Sequence, residues 1–352
     1  MKIVYLDCPI VPITGGHKYN GAFLKYLSDY SGLEVVSSPN CSPIYKRWKK
    51  LYAPIVELKH LHLINKGDFV FWSDTAFKKH LILAYIISYF KDVHSFIIIH
   101  HFPQFSKGIK GKFIKVLLFR YVKKCGNIIV PSPYTFAMAN KYFPNMTIHY
   151  IPIPFKKEYT CSHTYKKGSF LYVGTVDYRK GLHYLVEALG IIHNENPALI
   201  FSLNIVGKIT EEIYYNMLMA KIIEYDLQDA IHFRGRVSNK ELEVYYNEAE
   251  IFTFPSMHEG YGMVLVEALN KGIPVIAFNN SAIPYTVKDG INGFLAEDKN
   301  AKSFAEKIML LTGNDELHLK LQTGIQETLK SLKTQEDFEN NIRILYHSIQ
   351  DC

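Results

Sequence analysis

The chain has 352 residues, which is more than one typical domain needs and fits two. Its 48% hydrophobic and 21% charged residues are typical of a globular protein and exclude a disordered one, and no apolar run is long enough to span a bilayer. The net charge of +7 is unevenly spread: residues 1–155 hold 20 Lys and Arg against 7 Asp and Glu, while the remainder is acidic, which suggests different partners for the two halves.

Short apolar runs alternate with helical patterns in the first half of the chain. The runs predict strands at 2–6, 68–72, 95–100 and 127–132, and the helical patterns lie near 21–30, 75–90 and 109–124. Apolar strands that alternate with helices predict a parallel sheet covered on both faces. The N-terminal run carries Asp7 and Pro9 and no clear cleavage site, so it predicts a first strand rather than a signal peptide.

Two pairs of residues in this half are candidates for ligand contact. Gly15 and Gly16 fall between the first strand and the first helix, where an ordinary turn is the alternative. His100 and His101 close the third predicted strand, and a histidine there can hydrogen-bond a sugar hydroxyl, although a surface pair is also compatible. No acidic or cysteine partner is spaced to complete a metal site, and neither a P-loop nor a dinucleotide-binding glycine motif is present.

The segment 107–124, KGIKGKFIKVLLFRYVKK, interleaves seven basic residues with large apolar ones. One interpretation is a helix that lies on an anionic membrane or on a lipid-linked acceptor. The other is a helix that packs on the sheet and exposes a basic face. No nucleic-acid-binding motif is evident, so we expect no nucleic-acid partner.

The second half repeats the alternation of strands and helices after a linker at 150–169 that is rich in proline and polar residues. Strands are predicted at 169–174, 200–207, 231–235, 251–255 and 273–277. Ser238 and Glu241 have the spacing of a capping box that opens a helix toward Tyr246, and 334–350 predicts one more amphipathic helix.

These patterns predict two Rossmann-like, doubly wound domains that face each other across a cleft, with ligands at the carboxyl ends of the strands. The expected domains are 1–155, 156–333 and a C-terminal helix at 334–352 that packs back toward the first domain. The five scattered cysteines are odd in number and favour the reduced thiols of a cytoplasmic protein.

The stretch 255–277, PSMHEGYGMVLVEALNKGIPVIA, carries a glutamate on each side of a glycine-flanked helix start. Gly260 and Gly262 allow a ligand to approach the backbone, and the unpaired N–H groups of a helix start favour a phosphate. Glu267 lies about one and a half turns into the helix, where a carboxylate can accept two hydrogen bonds from a ribose diol. Together with Glu259, this pattern predicts a site for a nucleotide sugar.

The pattern P-S-x-x-E-G-x-G-x-x-x-x-E-A-L resembles the signature of retaining glycosyltransferases of the GT-B fold, in particular glycosyltransferase family 4. YVGTVDYRKGLHYLVEAL at 172–189, LNIVGK, IHFRGRVSNKELEVYYNEAEIFTFPS and DGINGFL also follow the order of that family, so the resemblance covers most of the chain.

The resemblance implies a role for individual residues. Glu267 would bind the ribose, Glu259 would contact the donor sugar near its 3-hydroxyl, and Lys180 would neutralise the diphosphate. The backbone amides that would hold the diphosphate or the donor sugar belong to Gly262, Met263 and Val264.

The remaining implied contacts are Val237 near the base, Gly16 near the phosphates and the acceptor, and His100 at the sugar. This sequence departs from the family at Thr175, where an arginine usually follows the glycine of the V-G pair. One of two cations on the diphosphate is therefore missing, and Arg179 is the candidate substitute.

The function that the resemblance implies is the retaining, metal-independent transfer of a hexose-type sugar from a UDP- or GDP-sugar to an acceptor hydroxyl, without a cofactor. A saccharide or lipid-linked acceptor, polysaccharide, lipopolysaccharide or glycolipid assembly and a cytoplasmic, peripheral membrane location are expected. The alternatives are a nucleotide-sugar-binding subunit without activity and a nucleotide-sugar epimerase or hydrolase of the same fold.

Overall fold

A computed structural model of the chain describes residues 1–6, 15–37, 61–74, 83, 86–87, 92–102, 116–123, 126–155 and 165–350. All five cysteines lie outside this part, as do nearly all of the predicted helix near 75–90, residues 107–115 of the basic segment and residues 156–164 of the predicted linker. The chain divides into two compact units. The first contains Met1–Phe155 and Lys333–Cys352, and the second contains Lys156–Leu332.

In the described part of the first unit, six parallel strands form a sheet with the order β2-β1-β3-β4-β5-β6. The strands are β1 Ile3–Tyr5, β2 Val35–Ser37, β3 Phe69–Ser73, β4 His94–Ile98, β5 Asn127–Val130 and β6 Thr147–Tyr150. The helices are α1 Gly15–Ser31, α2 Pro133–Tyr142 and α10 Gln335–Gln350. The prediction was wrong at two strands, since the sequence did not predict β2 and β6.

Helix α1 begins at Gly15 and not near residue 21, so Gly16 lies in the first turn of a helix and not in a loop. The ring of His100 explains why this residue is a glycine. A Cβ on Gly16 would come within 3.3 Å of that ring, so the helix start packs directly on the histidine.

The end of the basic segment packs on this first sheet. Residues 116–123 are helical, and Leu118, Tyr121 and Val122 are buried in a core cluster that includes Trp72 of β3. Arg120 and Lys123 of the same stretch are exposed. The described part of this helix therefore has an apolar face on the sheet and basic side chains in solvent.

Within residues 165–350, a second sheet has six parallel strands in the order β12-β11-β10-β7-β8-β9. The strands are β7 Ser169–Val173, β8 Ser202–Val206, β9 Ile231–Gly235, β10 Ile251–Phe254, β11 Val275–Phe278 and β12 Gly293–Ala296. The helices are α3 Leu182–Glu195, α4 Glu212–Glu224, α5 Asn239–Glu248, α6 Met263–Asn270, α7 Ile283–Thr286, α8 Ala301–Leu311 and α9 Asp315–Ser331. The five strands predicted here are confirmed, as is the capping box at Ser238 and Glu241, whereas β12 was not predicted.

Each sheet reverses its strand order at one point. In the first sheet the reversal lies between β1 and β3, and in the second it lies between β7 and β10. Loops that leave two adjacent strands at such a switch point diverge to opposite faces of the sheet and leave a crevice at the carboxyl ends. The loops after β7 and β10 carry Lys180 and Glu259, so the switch point of the second unit is where a ligand site is expected.

Helix α10 completes the first unit although it comes from the end of the chain. Phe338 is buried against the rings of Tyr19 and Tyr26, at centroid distances of 6.0 and 6.4 Å. Arg343 donates a hydrogen bond of 2.9 Å to the hydroxyl of Tyr26, and His347 lies 2.8 Å from the hydroxyl of Tyr30. Helix α10 is thereby fixed to α1.

None of the helices in the described ranges is long and apolar enough to cross a membrane.

Candidate functional site

The loop after β10 leads into a helix that no side chain caps. Gly262 is the N-cap residue of α6, and its φ of +82° lies in the left-handed region that favours glycine. A Cβ at Gly262 would also come within 2.7 Å of the Leu265 side chain. Met263 and Val264 follow as the first, half-buried residues of the helix. Since the N-cap residue Gly262 contributes no side-chain cap, the positive dipole end of this helix is suited to an anion.

A second loop, the short turn Tyr178–Lys180 after β7, contacts the first one closely. Gly181 ends this turn with a φ of +68°, and a Cβ there would lie 2.1 Å from the carbonyl oxygen of Pro255. The backbone N–H of Met257 donates to the carbonyl of Arg179 over 3.0 Å. Only a glycine at position 181 permits this approach, which brings the two loops together at the switch point.

Glu259 is the centre of a compact charged cluster formed by the two loops. Its Oε1 accepts hydrogen bonds from Lys180 Nζ at 2.6 Å, from Arg179 Nη1 at 3.1 Å and from Ser256 Oγ at 2.7 Å. The Glu259 side chain is 7% exposed and that of Lys180 12%, whereas that of Arg179 is 46% exposed. Glu259 is therefore not the solvated loop residue that an isolated glutamate in a loop suggests.

Electrostatics keep Glu259 ionised despite its burial. Burial alone would raise its pKa, but the charges of Lys180 and Arg179 and the hydrogen bonds from Lys180 and Ser256 outweigh that effect and lower the pKa to about 2. The ammonium group of Lys180 also lies 5.1 Å from the centre of the Phe254 ring, a distance at which cation and ring attract. One buried anion thus holds two cations at the start of the loop that precedes α6.

The backbone of Glu259 is anchored from the next loop. Its N–H donates to Ser281 Oγ at 2.9 Å, and its carbonyl accepts from the N–H of Ala282 at 3.3 Å. Asn280 Nδ2 donates to the carbonyl of Ser256 at 3.1 Å. The loop after β11 therefore fixes the loop after β10 from its other side.

Glu267 differs from Glu259 in its surroundings. It is exposed on α6, and its Oε2 accepts a hydrogen bond of 3.1 Å from the hydroxyl of Tyr246, a buried residue of α5. The Tyr246 ring stacks on Phe252 of β10, which fixes the hydroxyl that Glu267 contacts. The carboxylate is held at one oxygen and retains acceptor capacity for a ligand.

Thr175 and Val237 follow the carboxyl ends of β7 and β9, which lie on either side of β8 in the same sheet. Thr175 is exposed, and its hydroxyl donates to Asp177 Oδ2 over 2.6 Å. Val237 is half-buried and directly precedes the N-cap Ser238 of α5. Between them, a Cβ on Gly207, whose φ is +151°, would lie 1.8 Å from the carbonyl oxygen of Gly174, so the loops after β7 and β8 also approach each other at the backbone.

The first unit brings together the two other predicted residues, Gly16 after β1 and His100 after β4. His100 is buried, its Nε2 lies 2.8 Å from Asn20 Oδ1, and its ring packs on Gly16. Asp74, which follows β3, accepts the backbone N–H groups of His100 and His101 at 3.0 and 2.8 Å on one oxygen. His100 is therefore positioned through both its ring and its backbone, while His101 is exposed.

Several residues of these sites escaped the sequence argument. Ser256 and Ser281 bond to Glu259, Tyr246 bonds to Glu267, and Asn20 and Asp74 position His100. Ser256 belongs to the motif at residues 255–277, but its position in that motif does not indicate a role. The other contacts join residues that lie far apart in the chain, so local spacing carries no signal for them.

No group of three or more potential metal-ligating side chains was found in the ranges that the structure describes.

Comparisons with known proteins place the chain in a family. The model of the family "Glycosyl transferases group 1" matches residues 162–337, which covers the whole second unit apart from its first residues and includes Lys180, Glu259 and Glu267. Together with the two parallel sheets, this match defines the class: the chain belongs to the group 1 glycosyl transferases and has the GT-B fold.

Two relatives in bacteria share about a third of their aligned residues with the chain. An uncharacterised glycosyltransferase of Haemophilus influenzae is 32% identical over 154 residues, which cover 44% of this chain and 42% of that protein. The capsular polysaccharide biosynthesis glycosyltransferase CapM of Staphylococcus aureus is 31% identical over 156 residues, which cover 42% of this chain and 37% of CapM. The matched part of the chain thus spans less than half the length of these relatives.

A solved structure matches over the whole chain. HepE of Anabaena, solved in complex with UDP and glucose, has a TM-score of 0.71 and is 17% identical, and the match covers 99% of this chain and 100% of that one. At this identity the likeness shows the fold.

Proposed function

We propose that the chain is a retaining glycosyltransferase that moves a hexose-type sugar from a nucleoside diphosphate sugar to an acceptor hydroxyl. The observation that carries this proposal is the cluster at the switch point of the second unit. A buried carboxylate, Glu259, there holds Lys180 and Arg179 beside a helix start without a side-chain cap. Two cations and a helix dipole in one place suit a diphosphate.

The ribose end of the donor is assigned to α6. Glu267 is exposed and fixed by Tyr246, so it can accept the two hydroxyl protons of a ribose diol without first being ordered. The base belongs near Val237, which follows β9 at the edge of the same sheet. UDP is the first nucleotide to test, because the Anabaena neighbour was solved with UDP. GDP is the second.

The chemistry in this proposal is a displacement on one face of the sugar ring. The bond between the anomeric carbon and the diphosphate oxygen breaks, and a bond from the acceptor oxygen to the same carbon forms on the same face. The acceptor proton passes to the departing diphosphate. Lys180, Arg179 and the amides of Met263 and Val264 stabilise the negative charge that develops on the leaving group.

Glu259 orients the donor sugar in this scheme and does not attack it. A carboxylate that is buried and bonded to two cations and a hydroxyl is a weak nucleophile. Positive charge at the diphosphate comes from protein groups, so the scheme requires no metal ion. His100, held by Asn20 in the first unit, is assigned to a sugar hydroxyl.

The acceptor is a saccharide or a lipid-linked saccharide, and the setting is the assembly of a cell-surface polysaccharide at the cytoplasmic face of a membrane. The named function of CapM supports the setting. The seven basic residues of 107–124 favour contact with an anionic surface.

Calorimetric titration with UDP, GDP and ADP tests the donor site. We expect one of them to bind, and Glu267→Ala to weaken the binding of that nucleotide by about 10- to 100-fold, because a hydrogen bond to a charged acceptor contributes roughly 1.5–3 kcal/mol. Glu306→Ala, which removes an exposed glutamate from α8, is the control and should bind like the wild type. Unchanged affinity in Glu267→Ala would remove the ribose role, and failure of all three nucleotides to bind would remove the donor site.

A further inference from the structure

Tyr178 is a large exposed aromatic residue beside the charged cluster. It is the first residue of the turn that continues with Arg179 and Lys180, and it is 55% exposed. Most aromatic rings of the second sheet are buried in its core, so an exposed ring at this place is informative. The proposed donor site uses Arg179 and Lys180, which follow Tyr178, and assigns no role to the ring of Tyr178.

The ring of Tyr178 packs against two other rings, those of His183 and Tyr214. It stacks on His183 at 5.0 Å with an interplanar angle of 15°, and the edge of Tyr214 meets it at 5.7 Å. The hydroxyl of Tyr214 accepts the backbone N–H of His183 at 3.0 Å and lies 2.9 Å from its Nδ1. Burial and the charge of Lys221 lower the pKa of His183 to about 4, so the supporting imidazole is neutral at physiological pH.

Two carboxylates are held beside the backbone of Tyr178. Glu211 Oε2 accepts the backbone N–H of Tyr178 at 3.1 Å, and Asp177, the preceding residue, accepts the hydroxyl of Thr175. Each carboxylate has further acceptor sites. An exposed aromatic ring with carboxylate acceptors on adjoining residues suits a pyranose ring, which presents C–H groups on its faces and hydroxyl donors on its edge. The same carboxylates disfavour an anionic lipid headgroup or a phosphate.

We propose that the exposed face of Tyr178 binds a pyranose ring of the acceptor saccharide, with Glu211 and Asp177 accepting its hydroxyl protons. The chemical class, a neutral sugar ring, follows from the ring and the carboxylates. Its assignment to the acceptor rests on the proposed function, in which the donor sugar is bound by Glu259. A donor sugar would present the same chemistry, and the experiment separates the two sources.

Saturation-transfer NMR with methyl α-glycosides of glucose, galactose and mannose tests this subsite, with saturating UDP or whichever nucleotide the calorimetry selects. We expect at least one glycoside to receive saturation at its ring protons from the wild type. Tyr178→Ala should reduce that transfer at least tenfold, while Tyr178→Phe, which keeps the ring, should retain it. Phe136→Ala, which removes an exposed ring of the first unit, is the control and should leave the transfer unchanged.

The outcomes separate the subsite from the donor site. Loss of glycoside transfer with nucleotide affinity retained supports the acceptor assignment. A Tyr178→Ala variant that binds UDP like the wild type but binds UDP-glucose more weakly assigns the ring to the donor sugar and overturns the proposal. Loss of UDP affinity in that variant, or no glycoside signal from a wild type that binds its nucleotide, overturns it as well. Absence of nucleotide binding in the wild type is instead a failure of the proposed function.

Discussion

Glu259 combines burial with full ionisation, a state that the protein maintains through two neighbouring cations and Ser256. Removing one partner of such a group leaves a charge in a poorly solvated place, which costs several kcal/mol. The cluster therefore links the stability of the second unit to the geometry of the candidate site, and substitutions there should alter both.

The titration of Glu259 gives a pH prediction. Its pKa falls from the usual 4.5 to about 2 on folding, so its stabilising contribution is complete above pH 4.5 and is lost as the pH falls toward 2. We expect the difference in free energy of unfolding between the wild type and Glu259→Gln to shrink by about 3 kcal/mol over that window. Urea denaturation from pH 6 downward measures it. Glu306→Gln is the control. A difference in free energy of unfolding between the wild type and Glu259→Gln that stays constant at every pH would contradict the depressed pKa of Glu259.

We propose Arg179 as the substitute for the arginine that the resembling family usually carries at the position of Thr175. Its guanidinium shares Glu259 Oε1 with Lys180 and also bonds to the carbonyl of His258, yet it is 46% exposed. An exposed guanidinium can exchange its carboxylate for a phosphate at little cost. The sequence did not reveal whether Arg179 points to solvent or to the site, and the structure places it in the cluster.

A rescue experiment tests this replacement. Arg179→Gln should weaken the binding of UDP by about tenfold, the effect of losing one charge-assisted hydrogen bond. Adding Thr175→Arg to that variant should restore much of the lost affinity. UMP serves as the control ligand because it lacks the second phosphate, and its affinity should change little. Full UDP affinity in Arg179→Gln would assign the arginine to Glu259 alone.

At the scale of elements, the site depends on two loops that meet through a glycine. Gly181 lets the turn after β7 lie against the carbonyl of Pro255, and this contact brings Lys180 to Glu259. The sequence motif specifies both loops, but the contact between them arises from strand order, because β7 and β10 are neighbours in the sheet and distant in the chain.

Substitution of Gly181 separates this contact from backbone strain. Gly181→Ala should destabilise the protein by about 3 kcal/mol or more, since a non-glycine residue at positive φ costs roughly 1–2 kcal/mol and the clash with Pro255 adds to it. Gly290→Ala is the matched control, because Gly290 has a φ of +71° and open space where its Cβ would lie. Thermal unfolding compares the two variants. Equal losses would show that the approach of the loops contributes nothing.

The strands that the sequence did not predict share one property: β2, β6 and β12 are edge strands of their sheets. An interior strand is covered on both faces and paired on both sides, so its sequence is a continuous apolar run such as FVFWS or IFTF. An edge strand such as TIHY is only partly buried and reads like a loop. The prediction for the start of α1 was wrong for a different reason: two adjacent glycines suggest a turn, whereas in the structure Gly16 packs closely on the ring of His100 within the helix.

The candidate site was predictable to the extent that its residues belong to one local motif. Glu259, Gly262 and Glu267 stand within a single strand–loop–helix segment, so spacing alone places them near one another. Tyr246 and Ser281 lie on other elements, and their contacts depend on how α5 and the loop after β11 pack. Spacing carries no information about such packing.

At the scale of the whole molecule, charge is divided between the two units. From the excess of basic residues in the first 155 residues we predict that this part of the chain attracts anionic surfaces and that the acidic second part does not. The described end of the basic segment uses Leu118 and Val122 for the core and leaves Arg120 and Lys123 in solvent, so packing on the sheet and contact with a membrane are compatible.

Vesicle binding tests the membrane contact. The protein should co-sediment with vesicles that contain phosphatidylglycerol at low salt and dissociate at high salt, because exposed charges are screened beyond a Debye length of about 8 Å at physiological ionic strength. Vesicles of phosphatidylcholine alone are the control lipid, and glutamine at Lys107, Lys110, Lys112 and Lys115 is the control variant. Equal binding of wild type and variant to the anionic vesicles would exclude the basic segment as the contact.

Helix α10 has a consequence for synthesis. On the ribosome the first unit is begun first, yet Phe338 and Arg343, which fix α10 to α1, are made only after the second unit. All described strands of the second unit have been translated by then, so the second unit can fold while the first unit still lacks helix α10. We expect nascent chains to fold the second unit before the first, which reverses the usual order from the N-terminus.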